Sequence, residues 1–156
     1  MIRPLRRDDR GPIRDLVAAT GVFSEKEIEI ALELIDTALD VTGQADYIIR
    51  VAEEGGKVAG YYCVGPTPAT EGTFDLYWVA VDPALHGQGI GRALDDDACD
   101  LVRGMSGRLI IAETSSLPKY RRTREFYLRR GYRQIATIVD YYRPGDDLVV
   151  YGKYLT

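Results

Sequence analysis

Residues 79–94 read VAVDPALHGQGIGRAL and combine a strand-like apolar run, a glycine-rich turn and the start of a helix. Gly87, Gly89 and Gly91 allow the main chain to approach a ligand without Cβ atoms in the way. A helix that begins near Gly89 directs unpaired N–H groups and the positive end of its dipole at the same space. Arg92 adds a positive charge in the first turn. The stretch therefore predicts a phosphate-binding turn.

The spacing of the glycines distinguishes the known types of phosphate-binding turn from one another. A P-loop ends in Gly-Lys-Ser or Gly-Lys-Thr, which this chain lacks, and a dinucleotide fingerprint needs a different final glycine spacing. The segment 86–91 instead resembles the acetyl-CoA pyrophosphate loop of the GNAT superfamily of N-acetyltransferases. His86 stands where that loop usually has Gln or Arg, and we expect it to face phosphate in a binding or merely structural role rather than to act as a base. A turn that only connects strand and helix is the structural alternative.

The resemblance implies which residues bind acetyl-CoA. In this family, loop amides bind the diphosphate, and the preceding strand splays from its neighbour to leave a slot for the pantetheine arm. Val79 and Val81 would offer main-chain groups to that arm. Tyr120 replaces an asparagine that often precedes the family's tyrosine by seven residues. The predicted cofactor-binding residues are Val79, Val81, His86, Gly87, Gln88, Gly89, Ile90, Gly91, Arg92 and Tyr120. A basic run could also supply a contact to the 3′-phosphate: Lys119, Arg121, Arg122 and Arg124.

Residues 124–132, REFYLRRGY, resemble the last helix of the same family, in which Phe-Tyr is followed by Gly and an aromatic residue. Tyr127 falls on the tyrosine that in many members donates a proton to the departing thiolate. A phenol pKa of ~10 lies above a thiol pKa of ~8.5, so complete transfer costs about 2 kcal/mol. A hydrogen bond that strengthens as the sulfur gains charge would be enough. The structural alternative is a packing aromatic beside Phe126.

Attack on the thioester requires a neutral amine, which at pH 7 costs about 4 kcal/mol for an amine of pKa ~10. A carboxylate acting through water could offset this cost. Asp75 aligns with an acidic position of several family members, and strand alternation predicts it on the same face as Tyr77, Val79 and Val81. Glu113, at the end of the next strand, is the second candidate. For both residues, a solvated carboxylate at a strand end is the structural alternative.

Apolar periodicity predicts the order strand, two helices, three strands, helix, strand, helix, two strands. Residues 24–27 form a capping box for the second helix, and Gly55-Gly56 indicates a hairpin. The order matches the GNAT fold, which implies an α/β (α+β) architecture with a mixed, mostly antiparallel sheet of about seven strands flanked by helices. An acidic cluster in the third helix spans too wide an arc to hold a metal, and we expect a solvated surface there: Asp95, Asp96, Asp97 and Asp100.

The length of 156 residues fits one domain, and the resemblance implies that residues 1–156 form a single GNAT-type domain. A net charge of -4 argues against a nucleic-acid partner and leaves a cationic substrate open. The N-terminus has no signal-peptide core and no apolar run is long enough for a bilayer, so we expect a cytoplasmic protein without a membrane partner. Cys63 and Cys99 are predicted to be free thiols, and no metal is expected.

The resemblance implies an N-acetyltransferase that moves an acetyl group from acetyl-CoA to a primary amine of a small molecule or amino acid. The amine would attack directly in a ternary complex, with a strand N–H such as that of Val79 stabilising the oxyanion. An excess of carboxylates favours a cationic acceptor. Two alternatives stay open: acetylation of a protein N-terminus or lysine, and a non-catalytic acyl-CoA-binding sensor. A homodimer is also left open.

Overall fold

The computed structural model describes residues 1–156, which form seven strands and four α-helices in the predicted order. The elements are β1 (Ile2–Pro4), α1 (Arg10–Ala19), α2 (Glu25–Asp40), β2 (Ile48–Glu54), β3 (Lys57–Pro66), β4 (Thr73–Val81), α3 (Ile90–Gly104), β5 (Leu109–Ser115), α4 (Arg121–Arg129), β6 (Arg133–Arg143) and β7 (Asp146–Tyr154). Short 3₁₀ turns cover Arg7–Asp9, Pro83–Leu85 and Pro118–Tyr120.

All strands belong to one sheet in the order β1-β2-β3-β4-β5-β7-β6. Only β4 and β5 run parallel, and they pair over just three residues each, Thr73–Asp75 with Leu109–Ile111. Beyond Asp75, the two strands separate and leave a gap in the sheet. The predicted mixed, mostly antiparallel seven-stranded sheet with a splayed strand pair is therefore confirmed.

Helices cover the sheet on both faces and create two hydrophobic clusters. Helices α1 and α2 pack on one face of β2–β4, with Ile13 and Ile35 against Val51 and Tyr61. Helices α3 and α4 pack on the other face, and their cluster extends from Tyr62 on β3 to β7. The apolar residues that recur at helical spacing in the sequence are the ones that form these contacts. The free cysteines, Cys63 and Cys99, are both buried in these clusters.

The predicted capping box at the start of α2 is present, with both of its hydrogen bonds. The Glu27 amide donates to the Ser24 hydroxyl at 3.2 Å, and the Ser24 amide donates to the Glu27 carboxylate at 3.1 Å. This capping box satisfies amides that a helix terminus otherwise leaves unpaired. At the other end of the chain, Gly131 adopts φ +85° directly after α4, a left-handed conformation that ends the helix.

A β-bulge changes which residues of β4 share a face. The pairing of β3 with β4 shifts by one residue and leaves Tyr77 without a partner. Leu76 consequently packs in the same cluster as Val79 and Val81, on the α3 side of the sheet. Asp75, one residue before Leu76, faces the α1 and α2 side. The prediction that Asp75 lies on the same face as Val79 and Val81 is wrong, because one extra residue inverts the alternation.

Asp95 connects the two halves of the protein. Its side chain is buried, and its carboxylate accepts hydrogen bonds from the Tyr132 hydroxyl at 2.9 Å, from Arg130 Nε at 3.0 Å and from Lys153 Nζ at 3.0 Å. The expectation that Asp95 lies on the solvated side of α3 is wrong, since this position faces three donors from the C-terminal half. Asp96 and Asp100 of the same cluster are exposed, as predicted.

Two further features concern membranes and metals. None of the helices has the length and apolar composition that crossing a membrane requires. The chain also contains no group of three or more His, Cys, Asp or Glu side chains placed to hold a metal ion.

We expect Asp95→Ala to lower the free energy of unfolding by about 3–5 kcal/mol, because it removes a buried carboxylate that accepts from Tyr132, Arg130 and Lys153, and it leaves the partly buried lysine without its counter-charge. Asp100→Ala removes a carboxylate from the exposed side of the same helix, and it should change stability by less than about 0.5 kcal/mol. Equilibrium unfolding in urea measures both. Equal, small changes for the two variants would contradict the role assigned to Asp95.

Candidate active site

A cavity of about 780 Å³ opens beside the end of β4, where the sheet parts. Its walls come from the α1–α2 loop, the last residues of β4, the glycine turn, the first turn of α3 and one face of α4. All predicted cofactor-binding residues except Gln88 and Tyr120 line it: Val79, Val81, His86, Gly87, Gly89, Ile90, Gly91 and Arg92. The fold thus brings together residues that sequence analysis assigned to one ligand.

The last residues of β4 direct main-chain groups into the gap between β4 and β5. The Asp82 amide donates to the Ala59 carbonyl of the β2–β3 side at 2.8 Å. Since the main-chain groups of a strand alternate between its two edges, those of Val79 and Val81 point the opposite way, toward the space that β5 has left. No strand pairs with them there. This arrangement supports the predicted slot for a chain that carries amides of its own.

The glycine turn has the conformation that its sequence requires. Gly87 and Gly89 both adopt φ +81°, a left-handed conformation that other residues rarely adopt. Gly89 is the N-cap of α3 and no side chain caps the helix, so its first amides remain available at the cavity. A Cβ atom at Gly91 would lie 3.2 Å from the Phe126 ring, so glycine permits the close approach of α3 and α4.

The charge of the cavity wall is entirely positive. Five basic side chains line it, and no carboxylate does: Arg92, Lys119, Arg122, Arg129 and Arg130. Together with the N-terminus of α3, these side chains suit an anion such as a diphosphate. From the predicted basic run, Lys119 and Arg122 reach the cavity, whereas Arg121 pairs with Glu125 and Arg124 donates to main-chain carbonyls.

His86 lines the cavity with both of its ring nitrogens engaged. Nε2 lies 3.2 Å from the Val81 carbonyl oxygen, and Nδ1 lies 2.6 Å from Arg122 Nη1. An arginine can only donate and a carbonyl can only accept, so this pattern places the ring proton on Nε2. The imidazole is therefore not free to donate to a phosphate in this arrangement.

Two predicted cofactor-binding residues lie away from the cavity wall. Gln88 is exposed at the tip of the turn. Tyr120 is buried, and its hydroxyl lies 3.1 Å from Glu27 Oε2 and 3.2 Å from the Val22 carbonyl oxygen. Through these contacts, Tyr120 connects the 3₁₀ turn before α4 to the α1–α2 loop and to the first turn of α2. For these two residues, a role in cofactor binding stays a prediction.

Tyr127 is packed in the core rather than on the cavity wall. Its residue exposure is 5%, and its ring centroid lies 5.2 Å from that of Tyr132 and 5.5 Å from that of Tyr151. Burial, with a smaller contribution from Asp95, raises the pKa of the Tyr127 phenol. Its neighbour Phe126 is the residue that lines the cavity. This placement favours the packing interpretation of Tyr127, and its catalytic role stays a prediction.

The two predicted carboxylates lie close to each other, on the face opposite α3 and α4. Asp75 accepts a hydrogen bond from the Thr67 hydroxyl at 2.8 Å and sits beside Ile111, its register partner on β5. Glu113 follows two residues later on β5, so it projects from the same face. Glu113 is exposed, and desolvation by its neighbours together with the charge of Asp75 raises the pKa of its carboxyl group. Neither carboxylate lines the cavity.

Phe126 and Arg129 line the cavity and were not among the predicted site residues. Lys119, Arg122, Phe126 and Arg129 follow one another at steps of three and four residues, which places them on one face of the α4 segment. The sequence spacing alone could therefore have predicted that these side chains share one surface. The α1–α2 loop residues Val22 and Phe23 carried no comparable signal, because a loop has no periodicity.

Comparisons with known proteins agree with this geometry. The family model of the GNAT acetyltransferase domain matches residues 45–134. A GNAT-family protein from Desulfovibrio desulfuricans has a crystal structure that superposes with a TM-score of 0.96 at 41% identity, covering 100% of this chain and 99% of that one. No curated protein matches.

Two more distant structures share the fold. One is the ribosomal-protein-S18-alanine N-acetyltransferase of Escherichia coli, with a TM-score of 0.78 at 18% identity, covering 100% of this chain and 94% of that one. The other is an aminoglycoside 6′-N-acetyltransferase in complex with coenzyme A, with a TM-score of 0.77 at 15% identity, covering 100% and 97%. At these identities, the likeness concerns the fold alone.

We expect Gly91→Val to weaken coenzyme A binding at least about 10-fold, since its side chain would meet the Phe126 ring and occupy the space beside the first turn of α3. Gly104→Val is the matched control, because a Cβ at this position of the same helix meets nothing within 4 Å. Isothermal titration of both variants against wild type measures the difference. An unchanged dissociation constant for Gly91→Val would mean that the ligand binds elsewhere.

Proposed function

The chain belongs to the GNAT family of acetyltransferases, and on this premise we propose that it transfers an acetyl group from acetyl-CoA to a primary amine of a small molecule or amino acid. The observation that carries the proposal is the basic cavity at the gap between β4 and β5, with free main-chain groups on one side and the N-terminus of α3 on the other. We take residues 1–156 as a single catalytic domain.

The positive charge at one end of the cavity supports one orientation of acetyl-CoA. Its diphosphate would lie at the first amides of α3, near Gly89 and Ile90, with Arg92 and Arg122 in reach of its charge. The amides of the pantetheine arm would then meet the main-chain groups that β4 directs into the gap. The thioester would lie beyond them, where an N–H such as that of Val79 can stabilise the oxyanion. No metal is needed for these steps.

Glu113 is the better candidate for the base that removes the proton from the amine. Its pKa is raised above the ordinary value for glutamate. A carboxylate with a higher pKa is a stronger base, so Glu113 accepts a proton from an amine more readily. The Asp75 carboxylate is held by the Thr67 hydroxyl, and its charge contributes to the raised pKa of Glu113. The two predicted carboxylates therefore take different parts in the proposal. Glu113 accepts the proton, directly or through water. The charge of Asp75 helps to raise the pKa of Glu113.

Tyr127 has a more limited part than direct proton donation. Its raised pKa makes full transfer to a thiolate even less favourable than for an ordinary phenol. If its hydroxyl reaches the sulfur when the cofactor is bound, it would act as a hydrogen-bond donor, and the thiolate would take its proton from solvent. Its absence from the cavity wall is also the one observation that favours the second candidate function, an acyl-CoA-binding sensor without turnover.

The surroundings of Glu113 favour an acceptor that carries positive charge. Burial and the charge of Glu113 raise the pKa of Tyr142 to about 12, and the other carboxylates that act on Tyr142 are Asp146 and Glu27. The same two carboxylates act on Tyr120. Among these carboxylates Asp146 is buried and paired with Arg143, so the exposed Glu113 and the phenol rings are the groups that would attract an ammonium group. This supports a diamine, an amino sugar or a basic amino acid more than a neutral amine, with a protein N-terminus or lysine as the alternative acceptor.

The test of the function is release of coenzyme A from acetyl-CoA in the presence of an acceptor panel. We expect turnover with one or more cationic amines, and a kcat/KM at least about 10-fold higher for a diamine than for the monoamine of equal length, because the second ammonium meets the carboxylate surface. Turnover only with peptides would favour the protein acetyltransferase alternative. Tight binding of acetyl-CoA without turnover on any acceptor would favour the sensor.

The acid limb of the pH profile of kcat/KM tests the roles of the carboxylates. The base works only when deprotonated, so the rate should rise with pH through the pKa of Glu113, which lies above the ordinary value of 4.5. Glu113→Gln should remove this limb. Asp75→Asn keeps an acceptor for Thr67 but removes the negative charge, so the pKa of Glu113 falls and the limb should move to lower pH.

Asp100→Asn, on the exposed side of α3, is the control for that experiment and should leave the profile unchanged. A profile of Glu113→Gln that keeps the wild-type acid limb would exclude Glu113 as the base. An acid limb that stays in place in Asp75→Asn would exclude the electrostatic role of Asp75.

A further inference from the structure

His86 joins two parts of the cavity wall that come from different elements. Its Nε2–H donates to the carbonyl of Val81, the last residue of β4, at 3.2 Å. Its Nδ1 accepts from Arg122 Nη1, on α4, at 2.6 Å. All three residues line the cavity. The imidazole is thus a neutral link between the edge of the strand and a cation.

From this geometry we infer that His86 is a positioning residue for cofactor binding: it holds Arg122 in place to bind the diphosphate of coenzyme A, and does not itself bind phosphate. The inference rests on the proposed function. It assigns a specific task to the position at which the resembling loop usually has Gln or Arg. It also assigns the phosphate contact to Arg122, a residue outside the glycine turn.

The kind of partner that Arg122 has is central to the inference. Arg130 is held by two carboxylates, those of Asp95 and Asp96, and Arg92 lies 3.9 Å from the Asp96 carboxylate. Such partners orient a guanidinium but also cancel its charge. No carboxylate pairs with Arg122, which is oriented by an uncharged acceptor. Arg122 therefore keeps its full charge and its other four N–H donors for a ligand.

Orientation before binding matters for a long and flexible side chain. An arginine that is already held in place loses less rotamer freedom when the phosphate arrives, and that saving appears as affinity. The other ring nitrogen of His86, Nε2, occupies the Val81 carbonyl. The pantetheine arm would therefore use the main-chain groups of Val79 and the amide of Val81, and the Val81 carbonyl would remain with His86.

A double-mutant cycle on coenzyme A binding tests the inference. We expect His86→Ala and Arg122→Ala each to raise the dissociation constant about 10-fold, since each removes an oriented, charge-assisted contact. The double variant should bind no more than about 2-fold more weakly than Arg122→Ala, because His86 acts only through the arginine. Additive losses, or wild-type affinity in His86→Ala, would overturn the inference.

Three further measurements separate a positioning role from a structural one. His86→Asn can still offer an acceptor at the place of Nδ1 and should recover most of the lost affinity. Arg121→Ala, a neighbouring arginine that pairs with Glu125 outside the cavity, should bind like wild type. The melting temperature of His86→Ala should change little. A drop in melting temperature that His86→Asn does not restore, with affinity lost in parallel, would overturn the inference in favour of a structural role.

Dephospho-coenzyme A, which lacks the 3′-phosphate, distinguishes the two phosphate sites. If Arg122 binds the diphosphate, His86→Ala should lose the same factor with both ligands. A loss confined to coenzyme A would overturn the assignment to the diphosphate. Failure of the proposed function has a different signature, because it appears as absent turnover with every acceptor, whereas failure of the inference appears in the binding of coenzyme A by the variants.

Discussion

The separation of β4 from β5 after three paired residues is the constraint on which the rest of the site depends. If β4 and β5 stayed paired to the end of β4, the main-chain groups of Val79 and Val81 would form hydrogen bonds with β5. Because the strands part, these groups face the gap without a strand partner. The Val81 carbonyl bonds to His86, and the remaining groups must find water or a ligand. The cavity, the glycine turn and the basic side chains of α4 all meet at this point of the sheet.

The gap stays open because each half of the sheet has its own support. Helices α1 and α2 pack on β2–β4, while β5, β7 and β6 form an antiparallel unit of their own. Helix α3 spans the two halves, with Leu94 in the core and Asp95 bonded to Arg130 and Lys153 from the second half. A buried ion pair of this kind fixes the relation of the elements that it joins, because its partners cannot separate without leaving charges unpaired. The N-terminus of α3 is thereby held at the mouth of the gap.

Local signals in the sequence were sufficient for the fold. The capping box at Ser24, the apolar periodicity and the glycines of the turn each act over a few residues, so their structure follows from the residues themselves. The features that sequence analysis missed depend on distant partners. The bulge at Tyr77 is defined by its register with β3, and it moved Asp75 to the other face. Asp95 is buried because three donors reach it from residues 130–153, which no pattern within α3 could indicate.

The central claim is that the amides at the start of α3 and the main chain at the end of β4 bind coenzyme A together. Amide NMR spectra recorded during a titration with coenzyme A test it most directly. The account predicts that the signals of Gly89, Ile90 and Gly91 and those of Val79 and Val81 shift together with one dissociation constant. Shifts confined to surface lysines and arginines, or no shift at millimolar coenzyme A, would contradict it.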